Sequence, residues 1–282
     1  MFDRPTLAVE NEFGLPIHRT SRWIFNCYVV EGGDGHVLVD AGLPATAAAA
    51  LALISGRDGS ADHAVATHGH CDHLGGMPLL HNQAGTLAHL PARCADYLDG
   101  ETPRVFGAKA ALGFVPMYRE QPFSLKAAAQ FGRASTRIGY SRGETMVFRP
   151  PVASFLTDGD PVPGLEGWHV VAAAGHTDDS ICYYHPDSAT LLSGDAVITL
   201  GGRAWFNPEW VDAEASRATE DRLRSLEVRY LLPGHGLPIA GDVWARALAF
   251  GERPPGRGLL PRCSRRFGQW PSGGHDRRSD PT

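Results

Sequence analysis

Ten consecutive residues, Thr67-His68-Gly69-His70-Cys71-Asp72-His73-Leu74-Gly75-Gly76, limit what this chain can fold into more than any other stretch. Three histidines and a carboxylate fall within six residues, directly after the apolar run Ala64-Val65-Ala66. His68 and His70 are two apart, so in an extended segment both imidazoles leave the backbone on one side. Gly75-Gly76 lets the chain turn, which can aim Asp72 and His73 at a neighbouring point. Neutral imidazole and carboxylate suit zinc, iron or manganese and need no thiolate. Such a loop demands a fold that delivers further ligands from elsewhere.

The rest of the chain supplies them. Trp23 to Glu31 and His36 to Asp40 read as two strands joined by a glycine-rich turn. Pro44 to Ile54 reads as a proline-started helix. His63 to Thr67 is a strand that delivers the histidine loop, Leu74 to His81 a helix, Thr86 to Leu90 a strand and Pro91 to Leu98 a helix. That order argues for a layered α/β domain. Trp168 to Ala173 ends in Gly175-His176-Thr177. Ile181–His185 and Thr190–Ser193 form a hairpin that runs out into Gly194-Asp195. Asp212 to Leu226 reads as a helix and Val228 to Leu232 as a strand leading into Pro233-Gly234-His235. Asp242 to Phe250 reads as a last helix. His176, Asp195 and His235 thus each follow a predicted strand, as the first loop does.

Three segments stand apart. Residues 1–20 read as an N-terminal extension to a domain at 21–250. Residues 101–151 break the strand–helix rhythm with Phe106, Phe114, Tyr118, Phe123 and Phe131 among glycines and prolines, which reads as an insertion forming a lid or substrate wall. Its Arg104, Arg119, Arg133, Arg137 and Arg142 could meet an anionic group. From Gly251 to Thr282 the chain is rich in Pro, Gly and Arg and is expected to be a disordered tail.

The pattern H-x-H-x-D-H, followed by G-H-T, G-D and P-G-H, resembles the metallo-β-lactamase-fold superfamily over residues 21 to 250. The resemblance implies a four-layer αββα sandwich with metals at one edge, between the sheets. It assigns His68, His70 and His176 to one ion, Asp72, His73 and His235 to a second, and Asp195 as a bridge. The cofactors implied are two divalent ions, zinc first, with iron or manganese as alternatives. Asp72 and Asp195 are the candidate catalytic carboxylates, holding a hydroxide between the ions at neutral pH. Asp40, Asp178 and Asp179 are candidates to orient the histidines. Cys71 matches no ligand position and reads as a packed thiol.

The implied activity is hydrolysis of a small carbonyl ester, thioester or lactone. Asp195 departs from the zinc β-lactamases, which lack the bridging carboxylate. After His235 the chain shows no appended helical domain of the kind glutathione-thioester hydrolases carry. A mononuclear-iron persulfide dioxygenase of the same fold is one alternative, and a non-catalytic metal- or ligand-binding module another.

Composition excludes other classes. Net charge is −5 and the pI about 6.2, without the basic footprint of a nucleic-acid binder. No apolar run approaches a membrane span. Met1 to Arg19 lacks an apolar signal core, and the five scattered cysteines form no disulfide framework. A cytoplasmic protein acting on a small-molecule substrate is therefore expected, with no mark of an oligomeric state.

Overall fold

Alternation along the strands decides how this molecule is layered. The computed structural model describes residues 6–10 (backbone), 13–33, 35–107, 112–121, 123–140 and 145–254. The first sheet holds seven strands in chain order: β1 (Thr6–Glu10), β2 (Ile17–Arg22), β3 (Phe25–Glu31), β4 (His36–Val39), β5 (Ala61–Val65), β6 (Leu87–Pro91) and β7 (Val152–Leu156). β1 to β4 pair antiparallel, whereas β4 to β7 pair parallel. Parallel neighbours need long crossovers. α1 (Pro44–Ser55) spans the first, and α2 (Cys71–Leu74) and α3 (Met77–Ala84) span the second. The third contains α4 (Cys94–Leu98), a 3-10 turn (Val115–Arg119) and α5 (Leu125–Ala134).

The second sheet contains β8 (His169–Ala172), β9 (Ile181–His185), β10 (Thr190–Gly194), β13 (Tyr230–Pro233) and β14 (Ile239–Ala240), in the order β14-β13-β10-β9-β8. A separate hairpin, β11 (Val197–Leu200) and β12 (Arg203–Phe206), follows β10, and α6 (Ala213–Arg224) crosses over to β13. Asp212 caps α6, its carboxylate accepting from the Glu214 and Ala215 amides.

Tyr28, Val30, Val37, Val39 and Val65 of the first sheet pack with Val170, Ile181, Tyr183, Leu192 and Leu232 of the second in one buried cluster. Their neighbours face outward. Cys27, Val29, Leu38 and Ala64 join Ala47, Ala50, Leu74 and Leu80 of the helices on one side. Val171, Cys182, Tyr184, Leu191 and Leu231 join Leu223 of α6 on the other. Three apolar layers separated by two sheets make the four-layer αββα arrangement.

Several elements differ from the sequence reading. β1 lies within residues 1–20 and β2 starts there and runs to Arg22, and both pair into the first sheet. Trp23 forms the tight turn between β2 and β3, at φ 57°, rather than starting a strand. The helix read at Leu74 to His81 is two short helices, separated where Ala41 N bonds His73 O and Gly76 N bonds Gly42 O. Asp242 to Phe250 is a run of turns, not a helix. Leu248 is pulled into bridge pairing beside β12, its N bonding Ala204 O at 2.9 Å and its O accepting from Phe206 N at 3.1 Å, and that pairing overrides local helix propensity. Of the tail expected from Gly251, residues 255–282 lie outside the described residues, as does Arg142. No described helix is long and apolar enough to cross a membrane.

Candidate metal centre

Four strands end at one edge of the sandwich, and each hands over a polar side chain. His68 and His70 follow β5, and Asp72 and His73 lie in α2, which begins at once. His176 follows β8, Asp195 follows β10 and His235 follows β13. All but Asp72 are buried, and Asp72 is nearly so. Their ligand-type atoms gather into three groups: His68, His70 and His176; His68, His73 and Asp195; and Asp72, His73 and His235. Within each group the atoms lie within 4.8 Å of one another.

The outer nitrogen of most imidazoles is already committed. His73 Nδ1 donates to Asp40 Oδ2 at 2.8 Å, His176 Nδ1 to Glu209 O at 2.8 Å and His235 Nδ1 to Ile24 O at 2.7 Å. These acceptors have no proton to give, so each Nδ1 carries a hydrogen and each Nε2 faces inward, where it can ligate once it holds no proton of its own. The Thr67 hydroxyl donates to Asp40 Oδ2 at 2.9 Å and so accepts from His68 Nδ1 at 3.1 Å. That fixes His68 in the same sense.

Three inward nitrogens then converge: His70 Nδ1 lies 3.0 Å from His68 Nε2 and 3.3 Å from His176 Nε2. Asp195 Oδ1 is 3.4 Å from His73 Nε2, and Oδ2 is 3.6 Å from His176 Nε2 and 3.2 Å from His235 Nε2. Asp72 Oδ2 is 3.3 Å from His235 Nε2. His73 Nε2 and Asp195 Oδ1 are buried without a hydrogen-bond partner among the described residues. Lone pairs aimed at one another, beside orphaned buried atoms, are unfavourable unless a cation sits among them. The residues fit divalent metal.

Local backbone shape explains the approach. Asp40 takes φ 54°, in the left-handed region that Asp tolerates, and its carboxylate gathers the Thr67 amide, the Thr67 hydroxyl and His73. A Cβ on Gly234 would meet Asp195 Oδ1 at 2.5 Å and His73 Cε1 at 2.7 Å, so the P-G-H turn needs glycine there. Across the sheets, Tyr28 and Asn26 donate to Pro233 O at 2.8 and 2.9 Å, and Tyr183 donates to Ala66 O at 2.6 Å. These bonds lock the ligand loops to strands on the opposite sheet.

The three candidate orienting aspartates part company. Asp40 holds His73. Asp179 accepts from the Gly69 amide at 2.6 Å, from the Tyr140 hydroxyl and from Cys94, and so shapes the loop rather than an imidazole. Asp178 pairs with Arg104 at 3.1 Å near the surface. Cys71 is buried, and burial drives its thiol up, out of reach of ionisation at neutral pH.

Electrostatics divide the cluster. Burial and neighbouring imidazoles push His70 down to about 4 and hold His68 and His176 below the usual histidine range. Burial opposes the proton on His235 and His73 too, but carboxylates outweigh it. Asp195 and Asp72 lift His235 to about 10, and Asp40 with Asp195 lifts His73 well up. Asp72 falls to about 2: burial raises it, but His73 and His235 pull it down.

Aromatic rings wall the centre. Phe114 and Phe25 lie 5.3 and 5.8 Å from the His235 ring, Phe106 lies 5.7 Å from His176, and Tyr140 lies 4.9 Å from His70. Three of these four come from residues 101–151. One neighbour escaped the sequence reading. β12 leads into Asn207-Pro208-Glu209, where Asn207 Nδ2 donates to Asp195 O at 2.8 Å and Asn207 Oδ1 accepts from Glu209 N at 2.9 Å. Glu209 is buried, and burial together with Asp195 raises its carboxyl to about 8. The signal for it was an acidic residue in an Asn-Pro turn, too common to single out without the β11–β12 hairpin.

An αββα sandwich with an inward-facing imidazole and carboxylate cluster at the sheet edge defines a metal-site α/β protein. The family model of the Metallo-beta-lactamase superfamily matches residues 22–235, and the chain belongs to that superfamily of metallo-hydrolases. The probable metallo-hydrolase YflN of Bacillus subtilis (strain 168) is 27% identical over 249 residues, covering 80% of this chain and 85% of that protein. A hydroxyacylglutathione hydrolase of Hydrogenovibrio crunogenus is 43% identical over 67 residues, 23% of this chain and 24% of that one. Among solved structures, TTHA1623 in a di-iron-bound form superposes with a TM-score of 0.54 at 23% identity, covering 82% of this chain and 96% of that one. The BLEG-1 B3 metallo-beta-lactamase gives 0.55 at 20% identity, covering 79% and 93%. These two likenesses concern the fold.

Proposed function

We propose that the chain is a dinuclear metal hydrolase of a small carbonyl ester, thioester or lactone. His68, His70 and His176 would hold one ion and Asp72, His73 and His235 the other, with Asp195 shared. One observation carries the reading: a single carboxylate, Asp195, reaches imidazoles of both sets, with Oδ1 toward His73 and Oδ2 toward His176 and His235. Zinc suits this nitrogen and oxygen donor set, as do iron and manganese. Two divalent ions held there would lower the pKa of a shared water toward 7 and polarise the substrate oxygen.

The chain's own residues do the rest. Asp40, Thr67, Glu209 O and Ile24 O hold the Nδ1 hydrogens of His73, His68, His176 and His235, so four of the five imidazoles already turn Nε2 inward. Phe25, Phe106, Phe114 and Tyr140 exclude bulk water from one side and offer apolar area to the part of the substrate that does not react. The short match to a hydroxyacylglutathione hydrolase, covering 24% of that protein, supports acyl-bond chemistry. The test is turnover of matched ester, thioester, lactone and phosphodiester substrates by metal-quantified protein, before and after chelation. Acyl substrates should turn over, stop with chelation and recover with added metal. Turnover confined to the phosphodiester, or surviving complete metal removal, would overturn the proposal.

A further inference from the structure

A chain of aromatic rings runs outward from His235, and its outer members stand open to solvent. Phe114 and Phe25, both buried, lie 5.3 and 5.8 Å from the His235 ring. Phe114 meets Tyr118 at 5.7 Å, and Phe25 meets Trp23 at 5.7 Å. Tyr118 stacks on Trp23 at 5.5 Å, and Phe123 packs edge-on with Trp23 at 4.9 Å. The two buried rings thus lead by separate routes to one strip, Trp23, Tyr118 and Phe123. Tyr118 is 43% exposed and Phe123 60%, while Trp23, which touches both, is half-buried.

The strip is held in place from several sides. Trp23 is a bulky residue at φ 57°, in the left-handed region that such residues rarely adopt. A conformation of that kind persists only where the surroundings impose it, and it clusters at functional sites. Here the indole N–H donates to Tyr118 O at 3.3 Å, tying the β2–β3 turn to the 3-10 turn at Val115–Arg119. Two residues after Tyr118, Glu120 Oε1 accepts from Gly201 N at 2.9 Å, in the turn of the β11–β12 hairpin. Single exposed rings need no explanation, but a contiguous set fixed beside a buried polar centre marks a binding face.

The chemistry of the rings selects the occupant. The indole N–H is taken by Tyr118 O, so apart from the Tyr118 hydroxyl the strip offers only hydrocarbon. An occupant gains there by leaving water, not by charge or hydrogen bonding. Because the rings begin against His235, a substrate whose reacting carbonyl sits at the centre can run its tail along them. We infer that Trp23, Tyr118 and Phe123 form a subsite for an extended, uncharged hydrocarbon tail on the acyl side of the substrate. This deepens the hydrolase reading, rests on it, and narrows the substrate class to long-chain acyl compounds.

The test compares the metal-loaded full chain with Phe123→Ala and Trp23→Gly. Glycine accepts φ 57° without strain and Phe123 is mostly exposed, so both variants should fold. The substrates are p-nitrophenyl acetate, butyrate, hexanoate and octanoate. As tails without a reacting bond, 1-butanol and 1-octanol are titrated by calorimetry. Native kcat/KM should climb by up to about fourfold per added methylene, chiefly through KM. In both variants the octanoate-to-acetate ratio should fall by about tenfold or more, at equal metal content. Octanol should bind the native chain more tightly than butanol, and that advantage should shrink in both variants. A native profile flat from acetate to octanoate would overturn this inference and leave the hydrolase reading standing. So would a climb that both variants keep in full. Octanol binding weakened in both variants, with no ester cleaved, would sustain the subsite and count against acyl hydrolysis. A native dimer that Phe123→Ala turns into a monomer, read by sedimentation, would give the strip to a second copy and overturn the inference.

Discussion

The two proposed donor sets draw on one loop, yet they are built differently. His68, His70 and His176 are backed by a hydroxyl, a ring and a backbone carbonyl, and their pKa values are depressed. His73 and His235 stand among Asp40, Asp72 and Asp195, and theirs are elevated. Without metal, the first set is a neutral cage and the second holds protons in place of a cation. The difference teaches that carboxylates, not imidazole count, decide how a buried site behaves before it is filled. The first set can accept an ion with little proton release, whereas the second must give protons up.

Asp195 is common to both, so its loss should do the most damage. Asp195→Ala is expected to lower turnover by more than the roughly 10–100-fold typical of losing an outer partner, and to lower the occupancy of both sets. Kinetics with metal analysis would check this; a loss confined to one ion would mean that Asp195 does not bridge. Asp40 bonds His73 of the second set directly and reaches His68 of the first only through Thr67. Asp40→Asn should weaken the second ion by about 10–100-fold and the first by less, as read by metal titration against a competing chelator. Equal weakening of both would erase the distinction between the sets.

The pH dependence should separate them as well. In the folded, metal-free chain His235 sits at about 10, above its unfolded value of roughly 6.5. The stability it adds is therefore fully present below about 6.5 and is lost as pH rises toward 10. Metal-free protein should accordingly lose melting temperature across that window. Filling the second set at pH 7 should release protons, measurable as a dependence of binding enthalpy on buffer ionisation. The first set, with His70 near 4, should show little of either effect. The smallest effect belongs to the wall: Phe114→Ala should raise KM or reorder substrates by the ~1–3 kcal/mol of one large apolar contact, without changing metal content. Unaltered kinetics on every substrate would make Phe114 packing alone.

Much of this was legible because ligands and strand ends are local signals. Each of His176, Asp195 and His235 follows an apolar run and sits in a glycine context that one stretch of sequence displays. What was hidden depends on distant pairing. β2, with the sequence IHRTSR, carries too much polarity to read as a strand, and is one because β3 lies beside it. The helix expected at Asp242 to Phe250 gives way to pairing of Leu248 with Ala204 and Phe206, more than forty residues earlier. The acceptors behind His176 and His235 are backbone carbonyls, Glu209 O and Ile24 O, which no side-chain pattern announces. Asp179, three residues after His176, looked like an orienting carboxylate but is spent on Gly69, Cys94 and Tyr140.

The most direct test of the account is the metal count of the purified full chain and of two single variants, His70→Ala from the first set and His235→Ala from the second, by mass spectrometry beside turnover. The account predicts about two divalent ions per native chain, with each variant losing an ion together with activity. A fully active native chain holding a single tightly bound ion, or a His235→Ala chain that keeps both ions, would contradict it.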